Sequence, residues 1–467
     1  MSTLVGIQIG AISFVDEGVE TVLDGLQETV GVNALFIASQ AFDRGVAGRQ
    51  VVTRPWPGHG PDDFTDQHLG GSFVTQHDQF YGGTVLAPYR APDRETVGFD
   101  ALGDVIEPAR QRGQKVYSWV LENTHSGLTK AVPNWPKVLQ VDAWERTDGY
   151  ACLRNPDYEH WWLSLLEDQV KTYQLDGLLF GSERQGPLDN AFSDGGFARD
   201  GEAYCFCRHC LAEAARLGLD AERARQGYLE LDRLMNDQEE AAPLGDRSFI
   251  RFLSLLGRYP ELVAWDQFWQ DGYTRFQARL YGALKFLDRD LAVGWHIWHH
   301  NSFSPLYRSQ TDFTRMAQHS DFIKPVLYNN CAGYRLHHYI RTIGQRLFRG
   351  VPEQVLYDLY RHLLGYDEAV PFDRLPASGL SPDYVERETR RTVAAVRGQA
   401  AVYPGLDIDV PTPQGVKKTT PKEARASVRA ALDGGATGFV LSRKYSEMSW
   451  ENLAAVGQEL SDRGLRP

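Results

Sequence analysis

The chain has 467 residues, 42% of them hydrophobic and 24% charged, with a formal net charge of −12. That is the composition of a globular protein with ample length for a large core. The acidic balance argues against a nucleic-acid or anionic-membrane surface, which needs clustered Lys and Arg, so neither partner is expected. No stretch approaches the ~20 apolar residues that cross a bilayer. The opening MSTLVGIQIGAISF is apolar but lacks a basic leader and a small-residue cleavage site. It reads as a first buried strand, and the chain as cytoplasmic.

Short apolar runs alternate with helical patterns from end to end, the signature of an α/β fold. The candidate strands are residues 4–14, 32–42, 115–122, 175–182, 291–298, 322–329, 401–410 and 436–443. Eight strands close a barrel, so the expected fold class is α/β, a single (β/α)8 TIM barrel across residues 1–467. Asn155-Pro156 supplies a cap and a first-turn proline for a helix leading into the fourth strand. Thr420-Pro421-Lys422-Glu423 has capping-box spacing, and Gly434-Gly435 ends that helix before the eighth strand. Two connections are too long for turns: about 43–98 after the second strand and 184–290 after the fourth. In a barrel both begin at the C-terminal face, where active sites are built.

Four of the five cysteines form a set. Cys205, Cys207 and Cys210 make a C-x-C-x-x-C cluster, with Cys152 upstream, just before the helix into the fourth strand. Four thiolates make a closed tetrahedral site, so structural Zn2+ is the expected metal, with His209 able to replace one thiolate; no organic cofactor is expected. Cys331 reads as a lone structural residue.

Glu183 ends the fourth strand in LDGLLFGSERQGPL. A carboxylate there points into the barrel mouth, where a general acid can protonate a leaving oxygen. The seventh strand reads YPGLDIDVP, placing Asp407 and Asp409 two apart and hence on one strand face. Asp407 is the first choice for nucleophile or base and Asp409 the second. Polar and aromatic groups end the other strands: Glu122 and His125 after the third, Trp295, His296 and Trp298 on the fifth, Lys324 and Tyr328 on the sixth. Together with Arg184 and Asp409 they form a rim suited to a ligand with many hydroxyls.

These features resemble the glycoside hydrolase clan A superfamily, nearest in layout to glycoside hydrolase family 42 and to related uncharacterised glycosidase-like barrels. Cys152, Cys205, Cys207 and Cys210 match that family's zinc arrangement, and Glu183 stands where its acid/base glutamate ends the fourth strand. The sequence departs from the clan in having Ser182-Glu183 in place of Asn-Glu, and Asp407 or Asp409 in place of a strand-seven glutamate. The resemblance implies a glycosidase acting on a small glycoside or oligosaccharide. Glu183 would be the general acid/base, Asp407 the nucleophile or base, and the rim residues sugar ligands. Barrels of this kind often assemble as homodimers or homotrimers. Two rivals stand beside this reading. One is a sugar isomerase, epimerase or lyase, using Lys324 as a Schiff base or the strand-five histidines as metal ligands. The other is a non-catalytic, zinc-stapled sugar-binding barrel.

Overall fold

The structure, a computed structural model, describes residues 3–42, 59, 70–92, 96–122, 132–192, 203–236 and 247–466. Eight parallel strands form its centre: β1 (Leu4–Ile9), β2 (Ala34–Phe42), β3 (Lys115–Glu122), β4 (Gly177–Ser182), β5 (Ala292–Ile297), β6 (Phe322–Leu327), β7 (Gly405–Asp407) and β8 (Gly438–Ser442). Each pairs with the next, and β8 pairs back onto β1 with Leu4 opposite Gly438, so the sheet closes. Each of the eight expected strands has a counterpart within its expected span, although the first, expected over 4–14, ends at Ile9 and gives way to a helix from Ala11. The strands are near-continuous apolar runs because the barrel interior covers one face and the helices cover the other.

Alternation along the strands decides what each face carries. Phe36 on β2 stacks on Tyr117 of β3 with centroids 4.6 Å apart, and both rings meet Phe322 of β6, at 6.1 and 5.8 Å. Strands so far apart in the sheet order can meet only across the barrel interior, so these three side chains point inward. Glycines make room for them. A Cβ on Gly294 would stand 2.2 Å from the Phe322 ring, and one on Gly177 would stand 2.4 Å from Tyr117. Counting in twos from this layer puts Trp119 and Leu121 of β3, Gly181 and then Glu183 of β4, His296 of β5 and Lys324 of β6 inside as well. The intervening residues face the helices. Ser118, for instance, donates to Gln169 of helix Pro156–Thr172 at 2.6 Å.

Both helix starts read from sequence are present. Asn155 accepts from the Asp157 N–H, and Thr420 and Glu423 form a reciprocal capping box. The connection after β4 carries helices Arg208–Leu217, Ala221–Asn236 and Ser248–Arg258 before the long helix Glu261–Leu287. Much of the 43–98 connection lies outside the described residues; within it, Gly70–Ser72 pairs antiparallel with β2. A third long connection, between β6 and β7, was not anticipated: it holds helices Asn329–Arg346, Glu353–Leu364 and Pro382–Val396. No described helix is long and apolar enough to cross a membrane.

The seventh strand is shorter than expected. Ala401–Val402 pairs with β6, Pro404 offers no N–H to the ladder, and β7 proper stops at Asp407. Asp409 then adopts the left-handed conformation, with φ 58°. The expected shared face for Asp407 and Asp409 is thereby lost, because the two-residue period holds only within extended chain.

Candidate active site

Glu183 follows β4 directly and retains 16% side-chain exposure. His296 Nε2 lies 3.2 Å from Glu183 Oε1, and Lys324 Nζ lies 3.4 Å from His296 Nδ1. Three adjacent strands thus align a carboxylate, an imidazole and an amine. Lys324 has no exposed surface. A Cβ on Gly405 would stand 2.6 Å from its Nζ, so the glycine of β7 leaves the amine its space. Burial pushes the Lys324 amine down to about 7, against the opposing pull of Glu183.

Around this chain stand Tyr328, whose ring lies 5.8 Å from Lys324 Nζ, and Trp298, which stacks on His300 at 4.8 Å. His300 Nε2 lies 2.8 Å from Asp189, which also accepts from Ser304 Oγ at 2.5 Å. The charge of Glu183 acts on His299, Tyr307, Tyr328 and Arg443. His299 is held well below the ordinary imidazole range, chiefly by burial and then by Arg335. Asp189, Tyr307 and Arg335 were not singled out in the sequence. They come from helices and loops whose approach to the mouth no local pattern announces.

Several expected rim residues lie elsewhere. Glu122 has the parity of Ser118 and faces the helices. It accepts from Ser182 Oγ at 2.7 Å, from Arg184 Nε at 2.9 Å and from Tyr158, while Arg184 also donates to the Ala151 carbonyl at 2.6 Å. The pair is a buried cross-link on the helix side of the barrel wall, which weighs against the expected sugar contacts. Trp295 likewise faces outward, 5.6 Å from Phe180, with its indole donating to the His319 carbonyl at 2.6 Å. His125 lies outside the described residues.

Both aspartates of the strand-seven sequence are engaged by donors from loops and helices. Asp407 accepts from the backbone N–H groups of Cys331 at 3.0 Å and Val410 at 3.1 Å, and from Thr419 Oγ1 at 3.2 Å. Its pKa is raised, because burial outweighs those hydrogen bonds. Asp409 accepts from the Ser449 N–H at 2.8 Å and from Asn452 Nδ2. Both carboxylates tie loops together, contacts that weigh against the expected roles of Asp407 as nucleophile or base and of Asp409 as a sugar ligand.

A separate cavity of about 660 Å³ runs between helix Glu261–Leu287 and the segment around Pro305–Gln310. Its wall includes Asp266, Gln270, Gln310 and Tyr307, and it shares His296 with the Glu183 chain. Burial pushes Asp266 up to about 7, helped by the nearby charge of Asp189.

The cysteine set does come together. Cys152, Cys205, Cys207 and Cys210 are buried and unpaired by disulfides, with all four sulfurs within 4.8 Å of one another. The Sγ separations of 3.5 Å (Cys152 to Cys207) and 3.6 Å (Cys152 to Cys210) approach the ~3.8 Å edge of a tetrahedron with metal–sulfur bonds near 2.3 Å. The Arg154 N–H points at Cys152 Sγ, 3.4 Å away. The set fits one tetrahedral metal ion. It would join the β3–β4 connection to the start of helix Arg208–Leu217, beside which Phe206 stacks on Trp265 at 4.6 Å.

No family model matches this chain, and no curated protein matches it in sequence. Solved structures do match. The β-galactosidase of the Antarctic haloarchaeon Halorubrum lacusprofundi is 14% identical with a TM-score of 0.54, over 99% of this chain and 58% of that one. The β-galactosidase of the psychrophilic Marinomonas ef1 is 8% identical with a TM-score of 0.51, over 98% and 59%. The α-L-fucosidase isoenzyme 2 of Paenibacillus thiaminolyticus is 13% identical with a TM-score of 0.50, over 99% and 50%. This chain therefore spans half to three-fifths of the length of those glycosidases. At such identities the likeness establishes the (β/α)8 fold.

The Asp407 geometry generates a test. Asp407→Asn weakens the acceptor for two backbone N–H groups and a hydroxyl, and should cost about 1–3 kcal/mol of stability in thermal or denaturant melts. Turnover per folded molecule should survive. Unchanged stability with abolished turnover would return Asp407 to the chemistry.

Proposed function

We propose that the chain is a glycosidase in which Glu183 serves as the general acid/base for cleavage of a small glycoside or oligosaccharide. The observation that carries this reading is the position of Glu183. It is a partly exposed carboxyl at the C-terminal end of β4, inside the mouth, backed by His296 at 3.2 Å. That is where a barrel presents catalytic groups, and an imidazole behind a carboxyl can hold its proton in place. The glycosidase structures sharing the fold support the class of reaction, and the cysteine set supports kinship with family 42. With Asp407 and Asp409 engaged by loop donors, we place a substituent of the substrate itself opposite Glu183, as in substrate-assisted glycosidases, so that Glu183 acts first as acid and then as base toward the incoming water. Trp298 and Tyr328 are the proposed sugar contacts; His296, expected among them, has Nε2 on Glu183 and Nδ1 on Lys324 and serves to hold Glu183. The Schiff-base rival is disfavoured because Lys324 offers no surface to a carbonyl.

The metal is proposed to be zinc. Four thiolates with no open position make a structural site, which supplies a cross-link and leaves the barrel mouth to the protein's own side chains. Purified protein should then carry about one zinc per chain, measured by atomic emission without added metal. Cys207→Ser should lower zinc content and melting temperature more than it lowers turnover by the folded fraction. Zinc-free protein of full stability would remove the metal.

Glu183→Gln keeps the side-chain shape and removes the proton donor. Hydrolysis of alkyl glycosides should fall on the order of 10²- to 10⁴-fold, while activated aryl glycosides, which need little protonation, should suffer much less. Equal loss on both substrates, or none, would sink the assignment of Glu183 as the acid.

A further inference from the structure

A carboxylate, an imidazole and an amine in line admit two arrangements with the same number of protons. In the first, Lys324 is an ammonium donating to His296 Nδ1, and His296 Nε2–H donates to an ionised Glu183. In the second, a protonated Glu183 donates to Nε2, and Nδ1–H donates to a neutral Lys324 amine. Two short proton shifts interconvert them: Lys324 to Nδ1, and Nε2 to Glu183. The imidazole ends neutral both times, and one proton has moved from the amine to the carboxyl.

We propose that Lys324 stores the proton that Glu183 delivers, with His296 passing it across, and that covering Glu183 with substrate drives the transfer; this rests on Glu183 being the general acid. Lys324 and His296 are positioning residues here, since neither touches the scissile bond.

The environments of the two ends favour such a balance. Lys324 is fully buried, so its ammonium lacks water and its amine sits near 7. Glu183 keeps 16% exposure, so in the resting protein its carboxylate is still hydrated and the ion-pair form is favoured. A sugar seated over Glu183 removes that water. Desolvation then disfavours the carboxylate, and the proton crosses to the carboxyl when a leaving oxygen is present to receive it. Once Glu183 has protonated the leaving group, Glu183 is ionised and Lys324 neutral, and the incoming water returns a proton to the carboxyl. The titratable groups facing the chain from neighbouring elements are Tyr328 after β6, His299 after β5, Tyr307, Arg335 and Arg443. Arg335 donates to His299 at 3.0 Å, and Arg443 donates to Glu447 at 3.0 Å. Each of these two cations is thus engaged with a neighbour of its own.

Lys324→Met keeps the length and removes the amine. Because the folded value of about 7 lies below that of an unfolded lysine, near ~10.4, unfolding takes up a proton between those limits. The burial penalty is full below pH 7 and fades as pH rises through that window, so Lys324→Met should fold and be more stable than the parent at neutral pH. Its turnover is compared on alkyl and 4-nitrophenyl glycosides of one sugar. That sugar is the one the parent cleaves fastest among galactosides, fucosides, glucosides and N-acetylglucosaminides. At pH 6.5 the alkyl glycoside should lose about tenfold or more, whereas at pH 4.5, where solvent protons are about a hundredfold more plentiful, the loss should shrink to about threefold or less. The aryl glycoside should change little at either pH. His296→Leu should reproduce this pattern, and the double variant should add nothing. A loss equal at both pH values and on both substrates, carried in KM, overturns the proposal and makes Lys324 a sugar ligand.

A second readout needs no turnover. The protonated-carboxyl infrared band that disappears in Glu183→Gln reports the titration of Glu183. Its midpoint should rise in Lys324→Met, because the ammonium that favours the carboxylate is gone. An unmoved midpoint overturns the relay even in an active glycosidase. A raised midpoint in a protein that cleaves no glycoside keeps the relay and removes the glycosidase reading.

Discussion

An amine without water, held inside a barrel, is the constraint around which the site is arranged. Lys324 faces the interior because it has the same parity on β6 as Phe322, and its neighbours across the interior must answer its charge. His296 on β5 contacts it, and Glu183 after β4 contacts His296. Gly405 on β7 keeps the space open. Four consecutive strands of one sheet thus contribute to one electrostatic unit. The closed sheet fixes the spacing of the backbone positions from which these side chains reach one another.

Outside the wall, a buried ion pair and a cluster of four cysteines flank the segments that carry Glu183. The buried Glu122–Arg184 pair joins the ends of β3 and β4, and Tyr158 and Ser182 complete the hydrogen bonds of its carboxylate. Such a pair adds little net stability over apolar packing, but removing one partner strands a buried charge, so it specifies geometry more than it adds free energy. The four-cysteine set brings the β3–β4 connection against the insertion after β4, where the proposed metal would fasten the two. The residue on either side of Glu183 in sequence is therefore committed to structure: Ser182 and Arg184 both bind Glu122. Glu183 is left to face the mouth.

The barrel itself was legible from the sequence because eight apolar runs separated by capped helices admit few other closures. The position of Glu183 and the cysteine set were legible for similar local reasons, a strand end and a spacing. What failed was the facing of residues near strand ends. Glu122, Arg184 and Trp295 were placed on the rim because they end strands, although alternation from Tyr117, Gly177 and Phe322 assigns them to the outer face. That signal was present in the sequence and needed only an anchor for which parity points inward. Asp407 and Asp409 failed differently. Their alternation was read across a segment that Pro404 shortens and that turns left-handed at Asp409, and the donors that occupy them come from residues 331, 419, 449 and 452. No local pattern announces contacts of that range.

The central claim is that Glu183 meets the oxygen of a glycosidic bond. A crystal of Glu183→Gln soaked with an intact oligosaccharide tests it most directly, because the substitution stops cleavage and leaves the shape of the mouth. The expected result is a glycosidic oxygen within about 3 Å of the side-chain amide at position 183, with the flanking sugar ring against Trp298 and Tyr328. Sugar bound only in the outer cavity beside Gln270 and Gln310, with position 183 untouched, would contradict the account.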